Sequence, residues 1–243
     1  MELRPASGTT LGRSPVLGFI GAGNFTQSTL LPPIMKLAPR MRGLATGKPV
    51  NAKNIAKKYQ FEFCATDASE VIHDQQVNLV FVTSRHDSHG RYVSEALRAG
   101  KSVFVEKPPA LNHEELENIL SAYDEAQQRG AVPLLMVGYN RRFSESIRAI
   151  QKLFSGRTGP LAMHYRVNAG FLPPTHWMQH PEQGGRFIGE GGHFVDVMQF
   201  LCGALPISVY AVAPTDSARR YNNDNVLVTI AFADGSVATL HYL

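Results

Sequence analysis

Short apolar runs recur through the first 137 residues, and strand and helix signals alternate along them. Val16–Ile20 precedes a helix over Asn24–Leu31, which Pro32 and Pro33 are expected to end or kink. Gly43–Thr46 has a poor strand composition but stands where a strand is needed. Asn51–Tyr59 reads as a helix with Asn51 as its N-cap, and Phe61–Ala65 as the next strand. Val77–Thr83 is apolar almost throughout, the pattern of a strand covered on both faces. A helix over Asp87–Ala99 stops at Gly100, and Ser102–Val105 is the following strand. Asn112 and Glu115 form a capping-box pair; the helix they open carries Leu116, Ile119, Leu120 and Tyr123 as its apolar stripe and stops at Gly130. Pro133–Val137 completes the series. Such alternation closes as βαβ units around a parallel sheet, because parallel neighbours need a crossover about as long as a helix.

After about residue 140 the order changes. A helix over Ser144–Phe154 leads to a long strand, Leu161–Ala169, and then to an irregular segment, Gly170–Gly185. A helix over Glu190–Leu201 precedes three strand-like runs, Ile207–Ala213, Val226–Phe232 and Val237–Leu243. Ala233-Asp234-Gly235-Ser236 is a hairpin turn signal between the last two. The expected organisation is a flexible lead-in over residues 1–14 and an α/β Rossmann domain with a parallel sheet over 15–137. An α+β domain with a mainly antiparallel open sheet follows over 138–243. The chain stops inside an apolar strand, so the second domain is expected to be incomplete or to need a partner along its edge.

Composition excludes several function classes. The formal charge is only +4, and the nearest approach to a basic patch, Lys53, Lys57 and Lys58, reads as the wet face of a helix, so no nucleic acid is expected. No apolar run reaches the roughly 18 residues of a membrane span. Cys64 and Cys202 lack metal-ligand spacing; free thiols and a cytoplasmic location are the expectation.

Chemistry concentrates at a few places. Val103-Phe-Val-Glu106-Lys107-Pro108 reads as a strand that ends by presenting a carboxylate and an ammonium together, either as a solvated salt bridge or at the ligand-binding mouth of a parallel sheet. Gly21-Ala22-Gly23-Asn24-Phe25 follows the first strand and opens a helix: Gly21 permits the turn, and Gly23 lets a pyrophosphate approach the helix start. The second strand runs into Thr46-Gly47-Lys48, without the ribose-binding acid of many NAD sites; Lys48 faces either a 2′-phosphate or solvent. Thr83, Ser84 and His89 lie where another strand meets a helix, as groove-lining groups or as caps. Glu190, His193 and Asp196 can share a helix face among the glycines of Gly184-Gly185 and Gly191-Gly192, with His193 either a site group or a core histidine bonded to a neighbour. One Glu-x-x-His pair supplies too few ligands for a metal, and none is expected.

These residues resemble the glucose–fructose oxidoreductase / inositol dehydrogenase / MocA family. The landmarks are Gly21–Asn24, Thr83 with His89, Ala96-Leu97-x-Ala99-Gly100-Lys101, Glu106-Lys107-Pro108, Gly138-Tyr-Asn-Arg-Arg-Phe143, and Gly184-Gly185 followed by His193-x-x-Asp196. Tyr165-Arg-Val-Asn-Ala-Gly170 and His176-Trp177 further resemble a subgroup in which this unit follows an alcohol-dehydrogenase-like module. The resemblance implies NAD or NADP as cofactor, a sugar, nucleotide sugar or cyclitol as substrate, and a homo-oligomer built through the C-terminal sheet. It places Lys107 beside the substrate hydroxyl, often with a cis bond before Pro108, and makes His193 the acid/base. The chain departs from the family at Gly189, where an aspartate is common, with Glu190 next to it.

The expected function is therefore a nicotinamide-dependent oxidoreductase. Gly21–Phe25 would hold the pyrophosphate and Glu106 the nicotinamide half, with the substrate between the two domains. Lys107 would stabilise the alkoxide, and His193, with an imidazole pKa near operating pH, would take the proton. Glu190 either orients His193 or the sugar, or points to solvent. Arg142, Arg166 and Trp177 are either substrate contacts or structural residues. The alternatives are a non-catalytic nicotinamide-binding or sensing protein, or an inactive part of a longer oxidoreductase.

Overall fold

The computed structural model describes residues 14–214 and 224–243; the expected lead-in, apart from its last residue, lies outside them. The chain forms two compact units. One takes the chain up to Val105 and again over Glu114–Met136; the other takes Glu106–His113 and Val137–Leu243.

The first unit is built on β1 (Val16–Ile20), β2 (Arg40–Ala45), β3 (Phe63–Ala65), β4 (Leu79–Val82), β5 (Ser102–Val105) and β6 (Leu135–Val137). Their order is β3-β2-β1-β4-β5-β6, the doubly wound Rossmann arrangement, and every pair from β3 to β5 is parallel. The helices are α1 (Leu31–Lys36), α2 (Pro49–Lys58), α3 (Ala68–Ile72), α4 (His89–Arg98) and α5 (His113–Gln128). The apolar runs have the expected cause: Phe19, Leu44, Val80, Val82 and Val105 are fully buried, and Phe19 stacks on Phe81 at 4.5 Å between ring centres.

Three local expectations change. The unpromising β2 is a full strand: the Phe63 ring lies 2.5 Å from where a Cβ on Gly43 would stand, so glycine is what lets β3 close on it. Its arginines point outward into ion pairs, Arg40 with Glu62 at 2.5 Å and Arg42 with Asp74 at 2.8 Å. Pro32 and Pro33 do not end the first helix. Without their N–H groups the turn widens into a π-helix, Thr26–Leu30, in which Leu31 N–H donates to the Thr26 carbonyl five residues back, and the prolines become the first turn of α1. The α2 helix starts two residues before Asn51, with Lys48 as N-cap and Pro49 in the first turn.

The second unit carries α6 (Glu145–Phe154), β7 (Ala162–Val167), α7 (Gly185–Cys202), β8 (Pro206–Val212), β9 (Val226–Phe232) and β10 (Val237–Tyr242). The sheet order is β7-β10-β9-β8; β10–β9 and β9–β8 are antiparallel, and β10–β7 is parallel. Phe194, Met198 and Cys202 of α7 pack on Val228, Ile230, Phe232, Leu240 and Tyr242. Alternate residues of β9 are therefore buried, whereas β8 is exposed along its length.

The α7 helix begins five residues earlier than Glu190, with Gly184 in the left-handed conformation (φ 80°) as its N-cap. Its glycines consequently lie within the helix, where each costs about 1 kcal/mol relative to alanine. Close packing explains two of them. A Cβ on Gly191 would lie 3.0 Å from the Phe187 ring, and one on Gly192 would lie 2.7 Å from Tyr139 Oη.

Candidate active site

In the first unit, the loop after β1 is drawn onto the ends of β2 and β4. Gly21 N–H donates to Ala45 O at 2.8 Å, Thr83 N–H to Ile20 O at 2.8 Å, and the Thr83 hydroxyl to Gly21 O at 2.9 Å. Gly21 has φ +90°, and a Cβ there would stand 2.6 Å from Thr83 O, so only glycine fits. Gly23 differs: nothing lies within 4 Å of a Cβ built on it, and Asn24 and Phe25 are exposed. An open glycine before a helix start fits the approach of a pyrophosphate. Gln27 braces the loop by donating from Nε2 to Ala22 O at 2.9 Å. Ser84 shares a hydrogen bond with Ser88 at 2.7 Å, and buried His89 contacts Ser84 O through Nε2 at 3.1 Å. Thr83, Ser84 and His89 thus shape the loop and the turn beside it.

The second unit gathers the titratable groups. The Lys107–Pro108 bond is cis. Lys107 Nζ donates to Glu190 Oε1 at 2.5 Å and to the Gly189 carbonyl at 3.1 Å. Glycine at 189 brings no carboxylate, but its backbone oxygen meets the same ammonium. His193 lies one turn along α7, 6% exposed, edge-on to the Tyr139 ring at 5.8 Å between ring centres. Its Nδ1 is buried without a hydrogen-bond partner among the described residues.

Burial, and then the Lys107 charge, lower the His193 pKa to about 4. The imidazole is neutral at neutral pH, not poised near half-protonation as expected from its ordinary value. Burial raises the Glu106 carboxyl to about 7 against the pull of Lys107, with Glu190 adding to the rise. Burial also raises the Tyr139 phenol, and the Asp196 charge adds to it.

The remaining candidates separate. Arg142 makes a two-pronged ion pair with Asp196, which is itself only 8% exposed, so Asp196 faces this arginine. Arg166 is exposed on β7, with Nε donating to Asn168 Oδ1 at 3.1 Å. Trp177 sits half-buried in a 3₁₀ turn, Trp177–Gln179. Tyr139 and the Gly189 carbonyl were missed as members of the cluster. Tyr139 belongs to the landmark segment Gly138–Phe143, so position pointed to it, while no side-chain chemistry singles out a backbone carbonyl.

A family model described as "Oxidoreductase family, NAD-binding Rossmann fold" (GFO_IDH_MocA) matches residues 16–139, and the "GFO/IDH/MocA C-terminal domain" model matches 148–242. The chain is 28% identical over 229 residues to inositol 2-dehydrogenase of Rhizobium meliloti, covering 92% of this chain and 67% of that one. It is 25% identical over 234 residues to the uncharacterized oxidoreductase YrbE of Bacillus subtilis, covering 93% and 66%. The chain thus spans about two thirds of the length of these relatives. The crystal structure of an aldose-aldose oxidoreductase from Caulobacter crescentus, complexed with glycerol, superposes with TM-score 0.79 at 23% identity over 95% of this chain and 71% of that one, a likeness of fold.

Proposed function

The chain belongs to the GFO/IDH/MocA oxidoreductase family, and from that premise we propose that it oxidises or reduces a hydroxyl/carbonyl pair on a sugar, nucleotide sugar or cyclitol with NAD or NADP. The relatives named for inositol support the substrate class. One observation carries the assignment of roles: a buried, neutral imidazole shares a unit with a lysine whose charge reaches it.

Gly21–Phe25 would hold the cofactor pyrophosphate, and Glu106 would lie toward its nicotinamide half. The bound nicotinamide supplies hydride acceptance or donation. Oxidation of a carbinol removes a hydride from carbon and a proton from oxygen, which leaves the protein the proton and the transient oxygen charge to handle. Neutral His193 accepts the hydroxyl proton on its imidazole. Lys107 stabilises the alkoxide, turning from Glu190 and the Gly189 carbonyl toward that oxygen. In reduction the same proton returns from His193. The acid limb of kcat/KM for oxidation is expected near pH 4, where His193 gains its proton, and not near 6.5.

The test is hydride transfer, followed by nicotinamide absorbance across sugars, nucleotide sugars and cyclitols. Lys107→Ala and His193→Ala are each expected to lose on the order of 100-fold or more in turnover with cofactor binding retained. Near-normal turnover in both would refute the roles. Tight cofactor binding with no turnover on any such substrate would favour a sensing protein.

The partner in solution is proposed to be a second copy of the chain, meeting the open sheet. Ile207, Val209 and Tyr210 of β8 are 68%, 69% and 71% exposed, and light scattering would report the oligomer.

A further inference from the structure

We propose that the cofactor is the 2′-phosphorylated dinucleotide, NADP, and that Lys48 is the residue that selects it, with Thr46 beside it. The proposal rests on the dinucleotide-dependent reading above and goes beyond it by naming the cofactor. It stands on the end of β2. Ala45 is its last residue, and Ala45 O accepts the Gly21 N–H at 2.8 Å, so whatever follows Ala45 stands next to the pyrophosphate loop. In a Rossmann sheet that position faces the adenosine ribose. A carboxylate there accepts hydrogen bonds from the ribose hydroxyls of NAD, and a cation there accommodates the 2′-phosphate of NADP.

The chain offers no carboxylate for the first role. Between Glu2 and Glu62 stand nine lysines and arginines and not one aspartate or glutamate. The next acids along the chain that the structure describes are already occupied. Glu62 holds Arg40 and Arg42, and Asp67, two residues after β3, accepts from Ser69 N–H at 2.9 Å and from the Ser69 hydroxyl at 3.1 Å to cap α3. A ribose hydroxyl would find no acceptor carboxylate at the end of β2.

The chain does offer a cation. Lys48 is exposed and has no ion-pair partner among the described residues. The Thr46 hydroxyl donates to Lys48 O at 3.2 Å and closes the turn between them. Gly47 leaves the approach open, since nothing lies within 4 Å of a Cβ built there. Arg40 and Arg42 are neutralised by Glu62 and Asp74, but Lys53, about one turn into the helix that Lys48 caps, is exposed and adds positive potential, which favours the more highly charged dinucleotide.

Binding, read without turnover, tests this. The full chain is titrated with NADPH and with NADH, following reduced-nicotinamide fluorescence at low salt, beside Lys48→Glu and Thr46→Asp variants whose folding is checked by circular dichroism. NADPH is expected to bind at least about ten-fold more tightly than NADH, the scale of one charge-assisted hydrogen bond. Lys48→Glu should erase that preference, and Thr46→Asp should strengthen NADH by supplying the missing ribose acceptor. NADH binding as tightly as NADPH, or a preference that survives Lys48→Glu, overturns the assignment and leaves the dinucleotide reading in place. Failure of the folded protein to bind either nucleotide overturns both.

Discussion

Lys107 Nζ lies 2.5 Å from Glu190 Oε1 and 3.1 Å from the carbonyl of Gly189, so two successive residues of one helix hold the ammonium that follows β5. One residue of displacement along the helix, from 189 to 190, still leaves a carboxylate in the cluster. Its partner is the lysine.

Glu190 is therefore expected to act as a positioning residue. Glu190→Gln should lower kcat by on the order of 10-fold or more, the scale of a charge-assisted hydrogen bond, and Glu190→Asp should restore part of it. Glu190 raises the pKa of both Glu106 and His193, so both should titrate lower in Glu190→Gln. The pH dependence of kcat/KM and the His193 ring resonances would show the shift; an unchanged profile with unchanged kcat would place Glu190 outside the mechanism.

Glu106 links stability to pH. Its carboxyl rises from an ordinary 4.5 to about 7 on folding because burial penalises the charge. Folding thus favours the protonated form: the contribution is complete below about pH 4.5 and is lost as pH rises through 7. Glu106→Gln should remove that loss and leave the variant more stable than the parent at pH 8 by roughly 1–3 kcal/mol, with a smaller difference at pH 4. Urea unfolding at the two pH values measures it, and parallel curves for the two proteins would contradict the raised pKa.

Gly21 and Gly23 should respond differently to the same change. At Gly21 an added methyl meets the Thr83 backbone in a left-handed conformation, so Gly21→Ala is expected to lower Tm as well as cofactor affinity. At Gly23 the methyl meets nothing, so Gly23→Ala should fold with an unchanged Tm and lose affinity only if a ligand occupies that space. Thermal melts with nucleotide titrations separate the two; full affinity in Gly23→Ala would exclude close pyrophosphate approach there.

Arg142 is expected to be needed for stability before substrate binding. Its pairing leaves Asp196 satisfied at 8% exposure, and Arg142→Ala would strand that carboxylate. The loss should be about 1–3 kcal/mol, the scale of a charge-assisted hydrogen bond, and less than for a fully buried pair because Arg142 is partly exposed. Asn in place of Asp196 in the same background should recover part of it by removing the stranded charge. A variant of parental stability with only a raised KM would instead make Arg142 a substrate contact.

Much of the architecture was readable because its causes are local or periodic. A strand covered on both faces must be apolar along its length, so β1, β4 and β5 announce themselves, and the helices between them oblige the sheet to be parallel. Short turns are equally local, as at Gly21 before a helix and Ala233–Ser236 between β9 and β10. The elements that resisted depend on distant residues. The Gly43 strand looked weak because its strength lies in Phe63 and in carboxylates at Glu62 and Asp74. The start of α7 was hidden because glycines that lower helix propensity are tolerated only where Phe187 and Tyr139 close against them.

The same division runs through the candidate site. The sequence by itself determined a glycine loop after a first strand, a lysine at a strand's mouth, a histidine among glycines and the absence of any acid near Lys48, since all of these are statements about order along the chain. Only the tertiary structure decided that Lys107 meets Glu190 and the Gly189 carbonyl, that Arg142 is committed to Asp196, and that His193 is neutral while Glu106 is proton-hungry. Partners and pKa values follow from burial and from charges brought together across the fold, and neither quantity exists until the chain has closed around them.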